Sequence, residues 1–528
     1  MGKYLNPGNA GFVMIRNGEY VDKTGMIELI NANINTPQKL SCVSRPRRFG
    51  KSYAAQMLCA YYDHTCSSKD LFDGLEISQK ADFEKHLNKY NVIYLDITGF
   101  ISNLKRKQKD LNEIVNDITN SIKNELVSEM PDLEAVDELT DCLMKFAADT
   151  GRQFVFIIDE WDAVIRETRK DGKTQEIYLN LLREWFKNGN FTPKAVAAAY
   201  MTGILPIKKD GTESAISDFL EFTVLTPGPY ARYTGFTEEE VKKLCEHYGS
   251  NFESMREWYD GYSFAAVGSI YNPYSVMSAI RMGSFESYWQ KTSAAESLPT
   301  YINLNFEGLQ DDIVRLISGE QLEINVNGFE NDTESFRTRD DVMTLMVHLG
   351  YLAYNSQEKS VRIPNKEVET EYKSLITNAD NTMLYELVIK SRRLLEDTLS
   401  CDGEAVARAI TDIRESAYAP TFYNDEQALR YVIKFAYIAC IDRYLKIEEM
   451  PSGRGIADVC FIPKKKSALP AMVVELKWNK TEEAAIGQIK RNNYPAALKE
   501  HTGSVVLVGI NYNEKTKEHR CSIEKILV

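Results

Sequence analysis

With 528 residues, 44% of them apolar and 26% charged, the chain is too long for one compact core and has the composition of a folded protein of roughly two to four domains. A net charge of −13 argues against a general coat of affinity for nucleic acid, though not against a locally basic groove. No run reaches the roughly eighteen uninterrupted apolar residues of a membrane span, and residues 1–8 lack the apolar core of a signal peptide, so a cytoplasmic chain with no membrane partner is expected. The nine cysteines are scattered without CxxC spacing and the six histidines are isolated, which excludes a zinc centre.

Over the first 230 residues apolar, strand-like runs alternate with helical stretches, the pattern of an α/β domain. Strands are expected at 39–43, 92–97, 154–158 and 195–201, with helices at 52–63, 111–130 and 175–187. Residues 231–400 read as a helical middle region rich in aromatics. From about residue 420 the pattern is helix 426–443, strand 456–462, strand 471–476, helix 482–498 and strand 504–510. The expected division is therefore 1–230, 231–400 and 401–528.

The first candidate site lies where the 39–43 strand runs through Arg45-Pro46-Arg47-Arg48-Phe49-Gly50-Lys51-Ser52 into a helix. A strand, a loop and a helix start are the setting of a phosphate-binding loop, whose backbone N–H groups and helix dipole favour anions. Lys51 would reach the β- and γ-phosphates of ATP, Ser52 would ligate Mg²⁺, and Gly50 would let the backbone approach. The usual pattern opens with glycine, where this chain has Arg45. The apolar run 154–158 ends in Asp159-Glu160, at the carboxyl end of a strand, where open α/β sheets place ligands. Asp159 would hold the magnesium through water and Glu160 would polarise an attacking water. Thr202, after the 195–201 strand, would sense the γ-phosphate, although a threonine ending a strand is commonplace.

Arg45 to Ser52, preceded by Tyr20-Val21-Asp22-Lys23-Thr24, resembles the prokaryotic AAA-ATPase-like proteins that carry a C-terminal PD-(D/E)XK nuclease-like domain. The resemblance continues through Asp159-Glu160-Trp161-Asp162, Met201-Thr202-Gly203, Trp258-Tyr259-Asp260-Gly261-Tyr262-Ser263-Phe264 and Tyr271-Asn272-Pro273-Tyr274 into the last third. In that family the loop lacks the first glycine, so the resemblance makes Arg45 typical. It implies an α/β P-loop NTPase with a parallel sheet, a helical middle region and a C-terminal α/β restriction-endonuclease-like domain. The aromatic segment around Asp260 and Tyr262 has no derivable chemistry and reads better as packing.

In the last domain Asp458 lies on one strand and Glu475-Leu476-Lys477 on the next, with Glu475 and Lys477 on one face. Asp458 and Glu475 would bind Mg²⁺, which prefers oxygen ligands, and Lys477 would position or help deprotonate an attacking water. Glu426 on the preceding helix would complete the acidic cluster and Gln488 on the following one would orient water or phosphate, as the family's D…ExK core implies. A Glu–Lys pair alone is more often a solvated ion pair. Lys464, Lys465, Lys466, Lys477, Lys480, Lys490 and Arg491 outnumber Glu475, Glu482 and Glu483 and suit a polyanion. An ATP-controlled nuclease acting on nucleic acid, DNA foremost, is the first expectation, with a role in defence or in a mobile element by analogy. The alternative is an ATP-switched binding or signalling module with an inactive nuclease fold. Oligomerisation is left open.

Overall fold

The computed structural model describes residues 2–168, 171–207, 209–210, 213–214, 216, 218–289, 309–317, 319–327, 329, 338–377, 382–417, 429–430, 432–433, 436–437, 440, 443–452, 455–464, 469–492, 498 and 503–527. The chain forms two compact units, Met1–Leu298 with Gln321–Glu371, and Pro299–Glu320 with Tyr372–Val528. The span expected as one middle region, 231–400, is thus shared between them.

The first unit is built on a five-stranded, wholly parallel sheet in the spatial order Asn91–Asp96, Phe154–Asp159, Val196–Gly203, Leu40–Ser44, Leu220–Phe222. Successive strand residues feed opposite cores. Leu40, Cys42, Phe156, Ile158 and Met201 face one, while Val43, Val92, Val155, Ile157 and Tyr200 face the other. Burial on both faces is why these strands read as unbroken apolar runs. Helix Lys51–Tyr62 covers the second face with Ala54, Ala55, Met57 and Leu58. Helix Ile114–Glu129 covers the first with Ile114, Ile118, Ile122 and Leu126, one stripe at a four-residue spacing. Each such fully buried side chain contributes roughly 2 kcal/mol.

The segments after the sheet grip the loop that leaves Leu40–Ser44. Strands Tyr262–Phe264 and Gly268–Tyr271 form an antiparallel hairpin, extended by Phe236–Thr237. Tyr262 packs edge-on against Phe49, with centroids 5.4 Å apart, and its hydroxyl donates to the Gly350 carbonyl at 2.6 Å. Gly350 has φ +89, and a Cβ there would lie 2.8 Å from Pro46 Cβ, so both backbone and space demand glycine. Arg45 is completely buried. Its Nε donates to Thr234 Oγ1 at 2.8 Å and one terminal nitrogen donates to the carbonyls of Ser44 and Phe222 at 2.8 and 2.9 Å. The guanidinium also lies 5.2 Å from the Phe264 ring centroid. Burial pulls the Arg45 pKa down to about 10, which leaves it charged at neutral pH. The aromatic segment therefore acts as packing, and its target is the loop itself.

Glu367 sits in the same unit and accepts the N–H groups of Tyr288 and Trp289 at 2.9 and 3.1 Å. Burial pushes its carboxyl up to about 7.

The second unit carries a five-stranded mixed sheet in the order Tyr444–Ser452, Gly455–Pro463, Ala471–Trp478, Ser504–Asn513, Glu518–Leu527. Only Ala471–Trp478 and Ser504–Asn513 pair in parallel, and helix Glu482–Arg491 makes the crossover between them. Ile486 and Ile489 of that helix pack with Val473, Val505 and Leu507. The two edge strands are additions to the expected α-β-β-α-β order. Of the expected helix 426–443 only scattered positions are described, and Glu426 lies outside the described residues.

Two tests follow from these buried charges. Arg45→Met leaves the Phe222 carbonyl and Thr234 without their donor and is expected to cost about 2 to 4 kcal/mol in urea unfolding of the first unit. For Glu367 the folded pKa is raised above the unfolded value of about 4.3, so the folded state binds the extra proton between about pH 4.3 and 7. Its contribution to stability is therefore present below that window and lost as pH rises through it. Glu367→Gln should flatten this slope, and chemical denaturation at pH 5 and pH 8 measures it.

Candidate functional site

In the first unit three adjacent strands bring their carboxyl ends together. Val43 lies opposite Thr202, and Ile158 lies opposite Met201 on the other side of the same strand. Leu40–Ser44 delivers the loop, Val196–Gly203 delivers Thr202, and Phe154–Asp159 delivers the carboxylates. Gly50 caps the Lys51–Tyr62 helix with φ +85, and a Cβ there would meet nothing within 4 Å. Glycine is needed at this point for its left-handed turn.

Lys51 is buried, and its Nζ donates to the carbonyls of Arg45 and Pro46 at 3.0 and 2.9 Å and lies 3.7 Å from Glu160 Oε1. Thr202 ties the carboxylate pair together. Its hydroxyl donates to Asp159 Oδ1 at 2.5 Å and accepts the Glu160 N–H at 3.3 Å. Asp159 also takes a hydrogen bond from the Ser52 side chain. Glu160 has φ +56, an uncommon left-handed position that aims its side chain back over the loop. Its Oε2 pairs with Arg166, whose Nε donates to Asp162 Oδ2 at 3.0 Å. Asp162 Oδ2 in turn accepts the N–H groups of Ile204 and Leu205 at 3.2 and 2.9 Å.

The electrostatics follow from this packing. Burial pulls the Lys51 ammonium below its ordinary pKa, with Glu160 and Asp159 opposing. Burial raises the Asp159 carboxyl, with Ser52 and Thr202 opposing. For Glu160 burial also pushes upward, but Lys51, Arg166 and Arg47 together outweigh it and hold the group below the usual range.

A cavity of about 520 Å³ opens over this cluster. Gly50, Lys51, Ser52 and Glu160 line it, together with Tyr20, Val21, Tyr274 and Met277. Its size and its mixed apolar and cationic lining fit a nucleotide. Of the loop residues expected there, Arg45 and Pro46 are buried and hold the loop from within, while Phe49 both packs on Tyr262 and lines the cavity. Arg48 lines the cavity and covers the Tyr274 ring at 3.9 Å. Sequence reasoning missed Arg166, Tyr274 and Met277. The available signal was the Asp162–Arg166 spacing, which puts both on one helical face.

In the second unit four of the expected residues, Asp458, Glu475, Lys477 and Gln488, lie together, while Glu426 lies outside the described residues. Gly455–Pro463 and Ala471–Trp478 pair only from Val459–Val474 to Phe461–Met472. Beyond that point Asp458 Oδ2 takes the Leu476 N–H at 2.9 Å, so a side chain replaces the ladder. Glu475 Oε1 accepts from Lys477 Nζ at 3.1 Å and from Gln488 Nε2 of the crossover helix. Glu475 Oε2 is buried with no hydrogen-bond partner among the described residues. Burial, and then the neighbouring Asp458 charge, push the Glu475 carboxyl up to about 7. An orphaned, buried carboxylate oxygen beside a second carboxylate is the donor set that a hard divalent cation suits. Among the described residues no group of three or more His, Cys, Asp or Glu is placed to hold a metal ion. The site is thus a carboxylate pair, which suits an ion that keeps several waters. Sequence reasoning missed Arg430, which lies 2.6 Å from Asp458 Oδ1.

Among the described residues no helix is long and apolar enough to cross a membrane. Residues 8–212 match the family model described as a predicted AAA-ATPase, and residues 424–521 match that of the PD-(D/E)XK nuclease superfamily. The chain therefore joins an AAA-ATPase-like domain to a nuclease-superfamily domain. No curated protein matches it. Among solved structures, the ORC2 protein of Aeropyrum pernix in ADPNP–ADP complexes shares 10% identity over 69% of this chain and 98% of its own, at a TM-score of 0.29. A DNA replication initiation factor shares 9% identity over 70% of this chain and 94% of its own, at a TM-score of 0.26. Neither likeness is close enough to bear on function.

Proposed function

We propose that the chain binds and hydrolyses ATP in its first unit and cleaves phosphodiester bonds of nucleic acid, DNA foremost, in its second. The nuclease reading rests on one observation above the others: Glu475 accepts from Lys477 and Gln488, while Asp458 on the neighbouring strand accepts the N–H of Leu476 between Glu475 and Lys477.

In the first unit Lys51 leaves the carbonyls of Arg45 and Pro46 for the phosphates, which are stronger acceptors. Ser52 and Asp159 are the residues that would hold Mg²⁺, with Thr202 keeping Asp159 oriented. Glu160, freed from Lys51 and braced by Arg166, orients the attacking water. In the second unit Asp458 and Glu475 would hold Mg²⁺, with Glu426 as a further candidate. When bound, the ion supplies positive charge at the phosphate under attack. Gln488 and Lys477 fix the Glu475 carboxylate, and Lys477 positions the water. ATP binding regulates cleavage, the two activities serve a cytoplasmic protein, and the lysines around 464–491 carry the polyanion.

A second reading, a nucleic-acid-binding or signalling module with an inactive nuclease fold, is favoured by the Arg430–Asp458 ion pair, in which the protein already supplies a cation to the carboxylate.

Lys51→Ala is expected to weaken ATP binding by roughly 100-fold or more, read by fluorescent-nucleotide titration. Glu160→Gln should keep binding and lower hydrolysis by roughly 10² to 10⁴. With labelled single- and double-stranded DNA and RNA, with and without ATP and Mg²⁺, Asp458→Asn, Glu475→Gln and Lys477→Ala should each remove cleavage and leave ATP hydrolysis intact. Cleavage that persists in all three variants places the nuclease site elsewhere, and native protein that binds but never cuts supports the second reading.

A further inference from the structure

The carboxylate oxygens of the second unit are unequally occupied. Asp458 Oδ2 is used by the Leu476 N–H, and Glu475 Oε1 by Lys477 and Gln488. That leaves Asp458 Oδ1 and Glu475 Oε2 as the oxygens not spent on the chain's own strands and crossover helix. Glu475 Oε2 is buried without a hydrogen-bond partner among the described residues, while Asp458 Oδ1 holds the terminal nitrogen of Arg430 at 2.6 Å. Asp458 itself is buried, at 8% exposure. The Arg430 side chain is 24% exposed, so its long stem reaches into the site from a position that still meets water.

We infer that Arg430 is a positioning residue that stands in for the divalent cation, holding Asp458 Oδ1 in place and yielding that oxygen when the ion binds. The inference rests on the reading of Asp458 and Glu475 as metal ligands. A guanidinium and a divalent ion drawn to one carboxylate oxygen repel each other strongly in a partly dehydrated site. The oxygen therefore serves one or the other. In exchange, Asp458 never faces its acidic neighbour uncompensated, and the split between the two strands keeps its shape without a bound ion. The arrangement makes the ion's affinity the difference between two cation interactions. Removing the resident cation should strengthen binding of the incoming one.

The test uses the full chain, free of nucleotide, with Mn²⁺ as the probe and electron paramagnetic resonance reading free Mn²⁺. Native protein, Arg430→Met and Arg430→Lys are titrated, each with and without Asp458→Asn to identify binding at this site. Arg430→Met is expected to bind Mn²⁺ roughly three- to tenfold more tightly than native protein, and the gain should vanish with Asp458→Asn. Arg430→Lys, which keeps the charge, should stay close to native affinity. Should the methionine variant melt early, Arg430→Gln carries the same comparison. Equal or weaker Asp458-dependent binding in Arg430→Met overturns the stand-in role and leaves the metal-site reading intact. Absence of Asp458-dependent binding from both native protein and Arg430→Met overturns the metal-site reading and the stand-in role together.

Discussion

A guanidinium taken out of water has to find acceptors and counter-surfaces inside the protein, and Arg45 finds them in segments far apart in sequence: Ser44 before it, Phe222 on the edge strand, Thr234 beyond the sheet and the ring of Phe264. Because an isolated buried charge is so costly, these elements are held in one arrangement. Phe49 against Tyr262 and Pro46 against Gly350 extend the grip along the same loop. Glycine at the position of Arg45 would give a freer loop. The arginine gives one whose backbone is positioned from behind, leaving Gly50, Lys51 and Ser52 to face the cavity.

Inside the cavity the charges are already committed to one another. Lys51 meets Glu160, Glu160 meets Arg166, and Arg166 meets Asp162, which accepts from the backbone immediately after Gly203. On the proposed reading, a phosphate at Lys51 would compete with Glu160, and the ion pairs lead from there to the backbone just after Gly203. The chain of contacts is continuous and short. On that reading it would give a physical route from Lys51 to the exit from the central strand.

Much of this was legible in the sequence because the central strands bury both faces and so announce themselves as apolar runs, most of them ending in the polar residue that matters. Asp159, Thr202 and Glu475 fall where those runs stop, whereas Asp458 interrupts its strand between Ala457 and Val459. The direction of a side chain was not legible. Arg45 lies within a loop rich in cations, and only the later segments reveal that it points inward while Arg48 lines the cavity. The edge strands escaped for a different reason. Tyr444–Ser452 contains Pro451, which an interior strand excludes but an edge tolerates, and Glu518–Leu527 mixes charges through its apolar positions because one side meets water. The aromatics Tyr262 and Phe264 serve the loop of the first unit, which no local period expresses.

The interrupted ladder between Gly455–Pro463 and Ala471–Trp478 ties shape to chemistry. Asp458 is both the group that offers an oxygen to a cation and the group that satisfies the Leu476 N–H where the strands part. A residue of another kind at this position has to solve two problems at once, a missing charge and a stranded backbone donor. If the proposed nuclease reading holds, drift away from catalysis through this residue would not be silent: the hairpin would first have to be repaired, and a descendant without the reaction would carry a visible re-pairing of its strands.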